Sequence, residues 1–206
     1  MRIALVLVAL IGLVSPAYGQ VAGGSFGYAR LGYGAVLREG GHGAAPAFGF
    51  GFRGELDAVA VDFSFMNFIV PPDTQLAGDG AFATSFIRLQ VLSFLEPDAD
   101  RSFYLGGGMS FAGVTAGRSV RTDTSYTTNW EGSGLQGEFT AGYELARSSA
   151  IRMFVQGDVG LPLFYARLTR YPVTKGAVDF DSPSLEKRHF PSVAVSFGIG
   201  WQRGRP

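Results

Sequence analysis

The sequence predicts an all-β protein, an eight-stranded antiparallel up-and-down transmembrane β-barrel. Three observations lead to this. Apolar and polar residues alternate with period two through eight segments, the pattern of strands with two different faces. Gly (30 residues) and aromatic residues (18 Phe, 8 Tyr, 2 Trp) are abundant, whereas charged residues make up only 17% of the 206 residues. Short and long connections alternate between the segments, as they do in transmembrane barrels.

A leader precedes the strands. Residues 1–19 combine Arg2, an apolar run from Ile3 to Val14, and small residues after Pro16. This is the pattern of a secretory signal peptide, and the run is too short to span a bilayer as a helix, which takes roughly 20 residues. We therefore expect a signal peptide at 1–19 and a barrel domain at 20–206.

Four segments in the first half alternate between apolar residues and small or charged ones. They are Ser25–Leu37 (Leu31, Tyr33 and Leu37 against Arg30, Gly32 and Gly34), Ala45–Arg53 (Phe48, Phe50 and Phe52 against Gly49, Gly51 and Arg53), Leu56–Phe68 (Val59, Val61, Phe63 and Phe65 against Ala60, Asp62 and Ser64) and Phe82–Leu95 (Ile87, Leu89 and Val91 against Arg88 and Gln90). Phe82 and Phe86 break the alternation, because they fall on the polar face of the fourth segment.

Four more segments follow in the second half. They are Phe103–Val114 (Leu105, Met109 and Phe111 against Gly106, Gly108 and Ser110), Leu135–Ala146 (Phe139, Ala141 and Tyr143 against Gln136, Glu138, Thr140 and Glu144), Ile151–Tyr165 (Met153, Val155 and Val159 against Arg152, Gln156 and Asp158) and Phe190–Trp201 (Val193, Val195 and Phe197 against Ala194, Ser196 and Gly198). A helical alternative fails because glycine recurs through these runs, at a cost of about 1 kcal/mol each in a helix interior.

The connections predict which end carries the loops. We expect tight turns at Gly54–Glu55, Glu96–Arg101 and Arg147–Ala150, and longer loops at Arg38–Ala44, Ile69–Ala81, Thr115–Gly134 and Ala166–His189. An even number of strands places both termini at the end with the tight turns, which would be the periplasmic end.

The apolar face is predicted to meet lipid and the polar face to fill the lumen. A lipid core offers no water to backbone groups, so only a closed barrel can cross it with strands. Aromatic residues near segment ends are typical of interfacial girdles: Phe26, Tyr28, Phe68, Phe103, Tyr104, Tyr165, Phe190 and Trp201. A secreted, lipocalin-like soluble barrel is the alternative, with the two faces exchanged.

The chain resembles the small outer-membrane β-barrel family of OmpA-, OmpX- and OmpW-like proteins. The resemblance is carried by the aromatic and glycine pattern of residues 25–34, 103–110 and 195–201, and it spans the mature chain. It implies a barrel in the cell outer membrane, contact with outer-membrane lipids and lipopolysaccharide, and insertion by the barrel-assembly machinery. Family members usually end on an aromatic residue that this machinery reads, whereas Gln202–Pro206 follow Trp201 here.

Charged residues on the polar face are the best-defined candidate site. They comprise three arginines and four carboxylates: Arg30, Asp62, Arg88, Glu138, Glu144, Arg152 and Asp158. Burying an unpaired charge is costly, so we expect a hydrogen-bonded network that plugs a lumen too narrow for a standing pore. A salt-bridge gate that passes small ions is the alternative.

The outer loops supply the second candidate site. The last loop carries five cations that could pair with lipopolysaccharide phosphates: Arg167, Arg170, Lys175, Lys187 and Arg188. Residues 118–131 are polar and β-prone, and could offer an edge to a partner by strand addition. Solvated loops are the plainer interpretation of both.

Other chemistry has little support. Cysteine is absent and the formal net charge is zero, so thiol chemistry is excluded and no nucleic-acid partner is expected. His42 and His189 fall in predicted outer loops without the spacing of a lipid A-modifying enzyme. We expect no catalytic residues, cofactor or metal.

The predicted function is a structural or surface-interaction role. An OmpW-like channel for small hydrophobic molecules is the alternative, hinted at by Phe82, Phe86 and Phe154 on the inner face. An enzyme that modifies lipid A is a third possibility.

Overall fold

The structure is a computed structural model that describes residues 24–38, 41–69, 81–116 and 120–202, and its secondary structure is entirely β. The predicted signal peptide and the last four residues lie outside the described residues. Strand bounds are β1 Ser25–Arg38, β2 Gly41–Leu56, β3 Val59–Ile69, β4 Ala81–Phe94, β5 Ser102–Ala116, β6 Val120–Arg121, β7 Ser125–Thr127, β8 Trp130–Leu145, β9 Ile151–Pro162, β10 Ala166–Thr174, β11 Ala177–Val178, β12 Ser184–Arg188 and β13 Ser192–Gln202.

Eight of these strands close into a barrel. Strands β1 to β5, β8, β9 and β13 each pair antiparallel with the next in the barrel. The last strand returns to the first, from Phe26 opposite Gln202 to Val36 opposite Ser192. The predicted all-β, eight-stranded antiparallel up-and-down barrel is thus confirmed. The described part of the chain has no helix long and apolar enough to cross a membrane.

Tight turns occupy the end of the barrel where β1 begins and β13 ends, here called the terminal end. Two lie where predicted, at residues 95–101 and 146–150. They are held together by Arg147, which donates to the Pro97 carbonyl at 2.6 Å, and by Ser148, whose amide donates to the Asp100 carboxylate at 2.9 Å. The amide and hydroxyl of Ser148 hold the pKa of the Asp100 carboxyl below its ordinary value, because they stabilise the charged form.

The first turn differs from the prediction. It lies at Asp57–Ala58, with Asp57 at φ 55°, rather than at Gly54–Glu55. Strand β2 therefore continues through Glu55 to Leu56, and alternation turns Glu55 into the barrel. Asp is among the residues that tolerate positive φ, which a two-residue hairpin turn requires.

The opposite end, here called the loop end, is also built differently from the prediction. The expected loop Arg38–Ala44 is mostly strand, because β1 and β2 stay paired up to Arg38 opposite Gly41. His42 therefore lies in β2, with its backbone opposite Leu37.

A bulge in β4 explains why Phe82 and Phe86 break the alternation. Ser85 pairs with Ala112 and Ile87 with Phe111, so Phe86 is the extra residue. The parity of the strand reverses there, which puts Phe82 in register with Thr115. The side chains of Phe82 and Phe86 lie outside the described residues.

The two longest predicted loops carry β-structure that extends one side of the barrel. Strands β10 and β12 form a hairpin, and β7 pairs with β10 through Tyr126 opposite Tyr171. We call residues 120–129 and 166–189 the outer extension. A single register pair, Arg167 with Glu131, joins β10 to barrel strand β8.

The outward side chains of the barrel form an apolar belt. Its members include Leu31, Tyr33, Phe48, Phe50, Phe52, Phe63, Leu89, Val91, Leu105, Met109, Phe139, Val155, Val159, Val195, Phe197 and Ile199, all exposed. No charged residue takes an outward position between these members on the described strands. Soluble proteins rarely expose a continuous apolar surface beyond a few hundred Å². The belt therefore excludes the soluble barrel and is that of a transmembrane barrel.

A charge placed in this belt should destabilise the folded barrel. Val155 lies near its middle, between Tyr143 and Phe197 on the neighbouring strands. In lipid vesicles, Val155→Arg should lower the free energy of unfolding by about 2–4 kcal/mol, since lipid does not solvate the cation. Urea titration followed by tryptophan fluorescence would measure this.

The matched control is Leu185→Arg, which puts the same side chain on an exposed residue of β12 in the outer extension. A change within about 0.5 kcal/mol is expected there. Equal losses at both positions would contradict the assignment of the belt to lipid.

Candidate functional site

The barrel interior holds all seven charged residues predicted for it, each at most 6% exposed. Six of the eight barrel strands contribute charged side chains to the network: β1, β2, β3, β4, β8 and β9. Two further charged residues of β2, Arg53 and Glu55, and Arg147 from the last tight turn are buried with them.

One group of charges surrounds Asp158. Arg30 Nη1 donates to it at 3.0 Å, Arg88 Nη2 donates to its other oxygen, and Thr140 donates at 2.5 Å. Arg88 also lies 3.6 Å from the Glu138 carboxylate. Glu138 in turn accepts hydrogen bonds from Ser110 and Gln136, at 2.6 and 3.0 Å. Two cations thus face two carboxylates in this group.

A second group, nearer the terminal end, is centred on Arg53. Its Nε donates to Asp62 at 3.0 Å and its Nη1 to Glu144 at 2.8 Å. Tyr28 also donates to Asp62, at 2.8 Å. Arg152 Nη1 reaches Glu144 at 3.2 Å. Arg53 therefore links two of the predicted carboxylates, although it was not predicted to belong to the network.

Glu55 joins the second group because the first turn lies further along the chain than predicted. Arg152 Nη1 donates to it at 2.7 Å, and Arg147 Nη2 lies 3.6 Å away. Gln156 connects the two groups, since its amide donates to Asp158 at 2.8 Å and its carbonyl oxygen accepts from Arg53 at 3.3 Å.

The network is balanced in charge. Its five arginines, Arg30, Arg53, Arg88, Arg147 and Arg152, are matched by five carboxylates, Glu55, Asp62, Glu138, Glu144 and Asp158. A buried charge of this kind is tolerated only with a paired and hydrogen-bonded partner. Removing one charge would leave its partner uncompensated in a space without bulk water.

Aromatic rings enclose the second group. The Arg53 guanidinium lies 4.9 Å from the Phe154 ring and 5.0 Å from that of Tyr104. Phe26 and Tyr28 complete this cage at 5.7 and 5.6 Å. Such contacts favour a desolvated cation by about 2 kcal/mol. The prediction that Phe26, Tyr28 and Tyr104 form an interfacial girdle is therefore wrong, because they point inward.

Glycines opposite these rings make room for them. Phe154 stands directly across from Gly198, and Tyr104 across from Gly142. A Cβ added at either glycine would overlap the facing ring. The bulky interior side chains thus fit a narrow barrel because the cross-strand position is empty.

The other residues predicted for the interfacial girdle include both outward-facing and buried side chains. Phe103, Tyr165 and Trp201 are 53–63% exposed and face outward, as predicted. Phe190 is buried, and it packs edge-on against Trp130 with ring centres 5.5 Å apart. Phe68 has no described side chain.

Among the described side chains, those that fill the interior at the loop end are apolar rather than charged. A buried cluster joins residues of β1, β2, β3, β5, β10 and β13 with one residue between β12 and β13: Val36, Ala45, Ala47, Met66, Val114, Ala166, Phe190 and Ala194. Trp130 and Phe164 pack against it. The lumen therefore changes from apolar at the loop end to charged toward the terminal end.

The five predicted loop cations all lie in the outer extension, but only two are neighbours in register. Arg167 and Lys187 face each other across β10 and β12. Arg170 pairs with Ser184, and Lys175 occupies the β10–β11 turn at φ 53°. Arg188 is already engaged, with Glu186 at 2.6 Å and the Trp130 ring at 5.4 Å.

The structure describes the surroundings of one of the two histidines, His189. His189 Nδ1 lies 2.9 Å from the Phe164 carbonyl, and its ring packs on Tyr165 with centres 4.1 Å apart. His42 lies in a strand rather than a loop, and its side chain is not described. Within residues 24–38, 41–69, 81–116 and 120–202, no cluster of acidic or histidine side chains is arranged to hold a metal.

Comparisons with known proteins bear on the fold. No family model matches the chain, and no curated protein matches its sequence. Neisserial surface protein A superposes with a TM-score of 0.57 and 11% identity, covering 90% of this chain and 100% of that one. A major outer membrane protein from Thermus thermophilus gives 0.53 and 10%, covering 87% and 99%. The chain therefore has the fold of small outer-membrane β-barrels, and the predicted resemblance is confirmed at that level.

The network should make an interior carboxylate far less replaceable than an exposed one. Glu144 accepts from both Arg53 and Arg152 and is fully buried. Glu144→Gln should lower the free energy of unfolding by about 3 kcal/mol, because both arginines lose one of their two carboxylate partners and the interior is left with an excess positive charge. The measurement is urea unfolding of the barrel in detergent micelles.

Glu186→Gln is the matched control, since it removes the same charge from an ion pair whose side chains are 41% and 43% exposed. Its expected cost is below about 1 kcal/mol. Similar costs for the two variants would show that the interior charges do not depend on their partners.

Proposed function

We propose that this chain is an outer-membrane barrel with a structural and surface-interaction role, whose lumen is plugged by polar side chains. The observation that carries the proposal is the charge-balanced network of five arginines and five carboxylates, whose charged side chains come from six strands and meet across the interior. An eight-stranded interior is just wide enough to be filled in this way.

Three features support a place in the cell outer membrane. The apolar belt fits a bilayer, residues 1–19 have the composition of an export signal, and the fold is that of small outer-membrane barrels. We further propose that the barrel-assembly machinery inserts it and that outer-membrane lipids surround the belt. Strand β13 carries Trp201, 63% exposed, near its end, where an aromatic signal for that machinery would lie.

The outer extension supports a role in surface interaction. It bears an aromatic patch in which the half-buried Tyr171 stacks on the half-buried Tyr126 at 6.2 Å and meets Phe180 edge-on at 5.1 Å. Phe180 is 65% exposed. Aromatic side chains are enriched in protein contacts, so this patch suits a partner outside the cell. Loop cations such as Arg167 and Lys187 would meet lipopolysaccharide phosphates at the same height.

A channel for small hydrophobic molecules is the second candidate. The apolar cluster around Met66 and Phe190 would suit an apolar solute at the loop end, and Phe154 extends apolar surface inward. Both charged groups, however, lie between this cluster and the terminal end. A lipid A-modifying enzyme has less support, because His189 contacts a carbonyl and an aromatic ring rather than an acid or a nucleophile.

A plugged lumen should be silent in planar-bilayer recordings. The unaltered chain, folded and inserted, is expected to produce no conductance steps under conditions in which a general porin gives clear ones. Dye-loaded vesicles should likewise show no faster uptake of a small apolar probe. Frequent, long-lived steps or rapid uptake would favour the channel.

A double variant tests whether the network itself closes the lumen. Arg53→Ser/Glu144→Ser removes an opposite pair bonded at 2.8 Å and leaves the interior balanced in charge. Brief openings are expected from this variant once heat-modifiable gel migration shows that it has folded. A folded variant that stays silent would mean that other side chains close the barrel.

A further inference from the structure

A row of side chains crosses the junction between the barrel wall and the outer extension. Thr115 of β5 pairs with Glu131 of β8, Glu131 with Arg167 of β10, and Arg167 with Lys187 of β12. Directly opposed residues share a face of a sheet, so these side chains stand on one outward face. Arg167 and Lys187 are both exposed.

The two cations in this row outnumber its one carboxylate, Glu131. Like charges directly opposite each other destabilise a strand pair, and Arg167 faces Lys187 in this way. Among the ion pairs within 4.0 Å formed by described residues, none includes either of them. The one carboxylate in the row, Glu131, instead accepts a hydrogen bond from Asn129 at 2.7 Å. An external anion would relieve this repulsion.

A groove lies beside the two cations. Its volume is about 750 Å³, and its lining includes both cations, Glu131, Tyr165 and Phe111, so two positive charges and one negative charge line it. Tyr165 is 53% exposed, and Phe111 lies at the loop-end edge of the apolar belt. From the rim downward, the groove thus passes from positive charge through aromatic surface to the apolar wall.

That order matches an amphiphile standing in the bilayer. An anionic headgroup at the rim would take charge-assisted hydrogen bonds from a guanidinium and an ammonium, while acyl chains follow the belt below. A free anion would leave the aromatic and apolar lining unused. A protein partner would have to enter the lipid boundary to reach Phe111.

We propose that this groove binds the phosphate headgroup of one phosphorylated lipid of the outer leaflet, held by Arg167 and Lys187. The inference rests on the proposed location in the outer membrane. It adds a defined site to that proposal, because the other cations of the outer extension do not line the groove.

Native mass spectrometry of the full chain in detergent tests the site, with bisphosphorylated lipid A as the probe. The unaltered chain should retain one lipid with a measurable Kd. Arg167→Gln/Lys187→Gln should raise that Kd by at least about 10-fold, since each cation near a membrane phosphate contributes a change of about 5-fold. Lipid A with both phosphates removed should bind no better to the unaltered chain than to this variant.

Arg170→Gln/Lys175→Gln is the matched control, because it removes the same two charge types from the same hairpin outside the groove. Its Kd should stay within about 2-fold of the unaltered value, because neither side chain reaches the headgroup. Equal weakening by both pairs, or none by either, would overturn the site. Failure of the chain to insert into vesicles would instead overturn the proposed location, so the two outcomes are separable.

Discussion

The structure depends on the pairing of charges inside a space that excludes bulk water. Five arginines and five carboxylates among the described residues occupy the interior, and every ion pair between residues of the barrel strands joins two different strands. Arg53, for example, bridges β3 and β8 from its place in β2. The network therefore fixes the relative positions of strands far apart in the chain, in addition to the backbone ladders that join adjacent ones.

Period-two alternation was enough to predict the strand number, the closed barrel and the face of every predicted interior charge. Arg30, Arg88 and Asp158 lie where the alternation puts them, because one residue of register decides between lipid and lumen. Alternation does not predict which of the interior charges form ion pairs with each other. Asp158 receives both Arg30 and Arg88, and that follows from strand tilt and side-chain length rather than from order in the chain.

Errors arose where the alternation ends or is interrupted. Glu55 falls in the predicted turn Gly54–Glu55, yet Asp57 adopts the positive φ and strand β2 continues to Leu56. The bulge at Phe86 exchanges the inward and outward positions of β4, and no glycine at that position marks the bulge in the sequence. Aromatic residues near strand ends suit both an interfacial girdle and an interior cage. Position alone did not separate Trp201, which faces outward, from Tyr104, which faces inward.

The pairing of Phe154 with Gly198 links two residues that are far apart in the chain but adjacent in the wall. The Phe154 ring fills the space that a side chain at position 198 would need, so the two residues share one volume in the lumen. In sequences that evolve from this one, the substitutions allowed at one of these positions would depend on the residue at the other. A smaller residue has to replace Phe154 before Gly198 can be replaced by a residue with a side chain. Interior aromatic and glycine positions should therefore evolve as coupled characters, while the lipid-facing residues between them diverge independently.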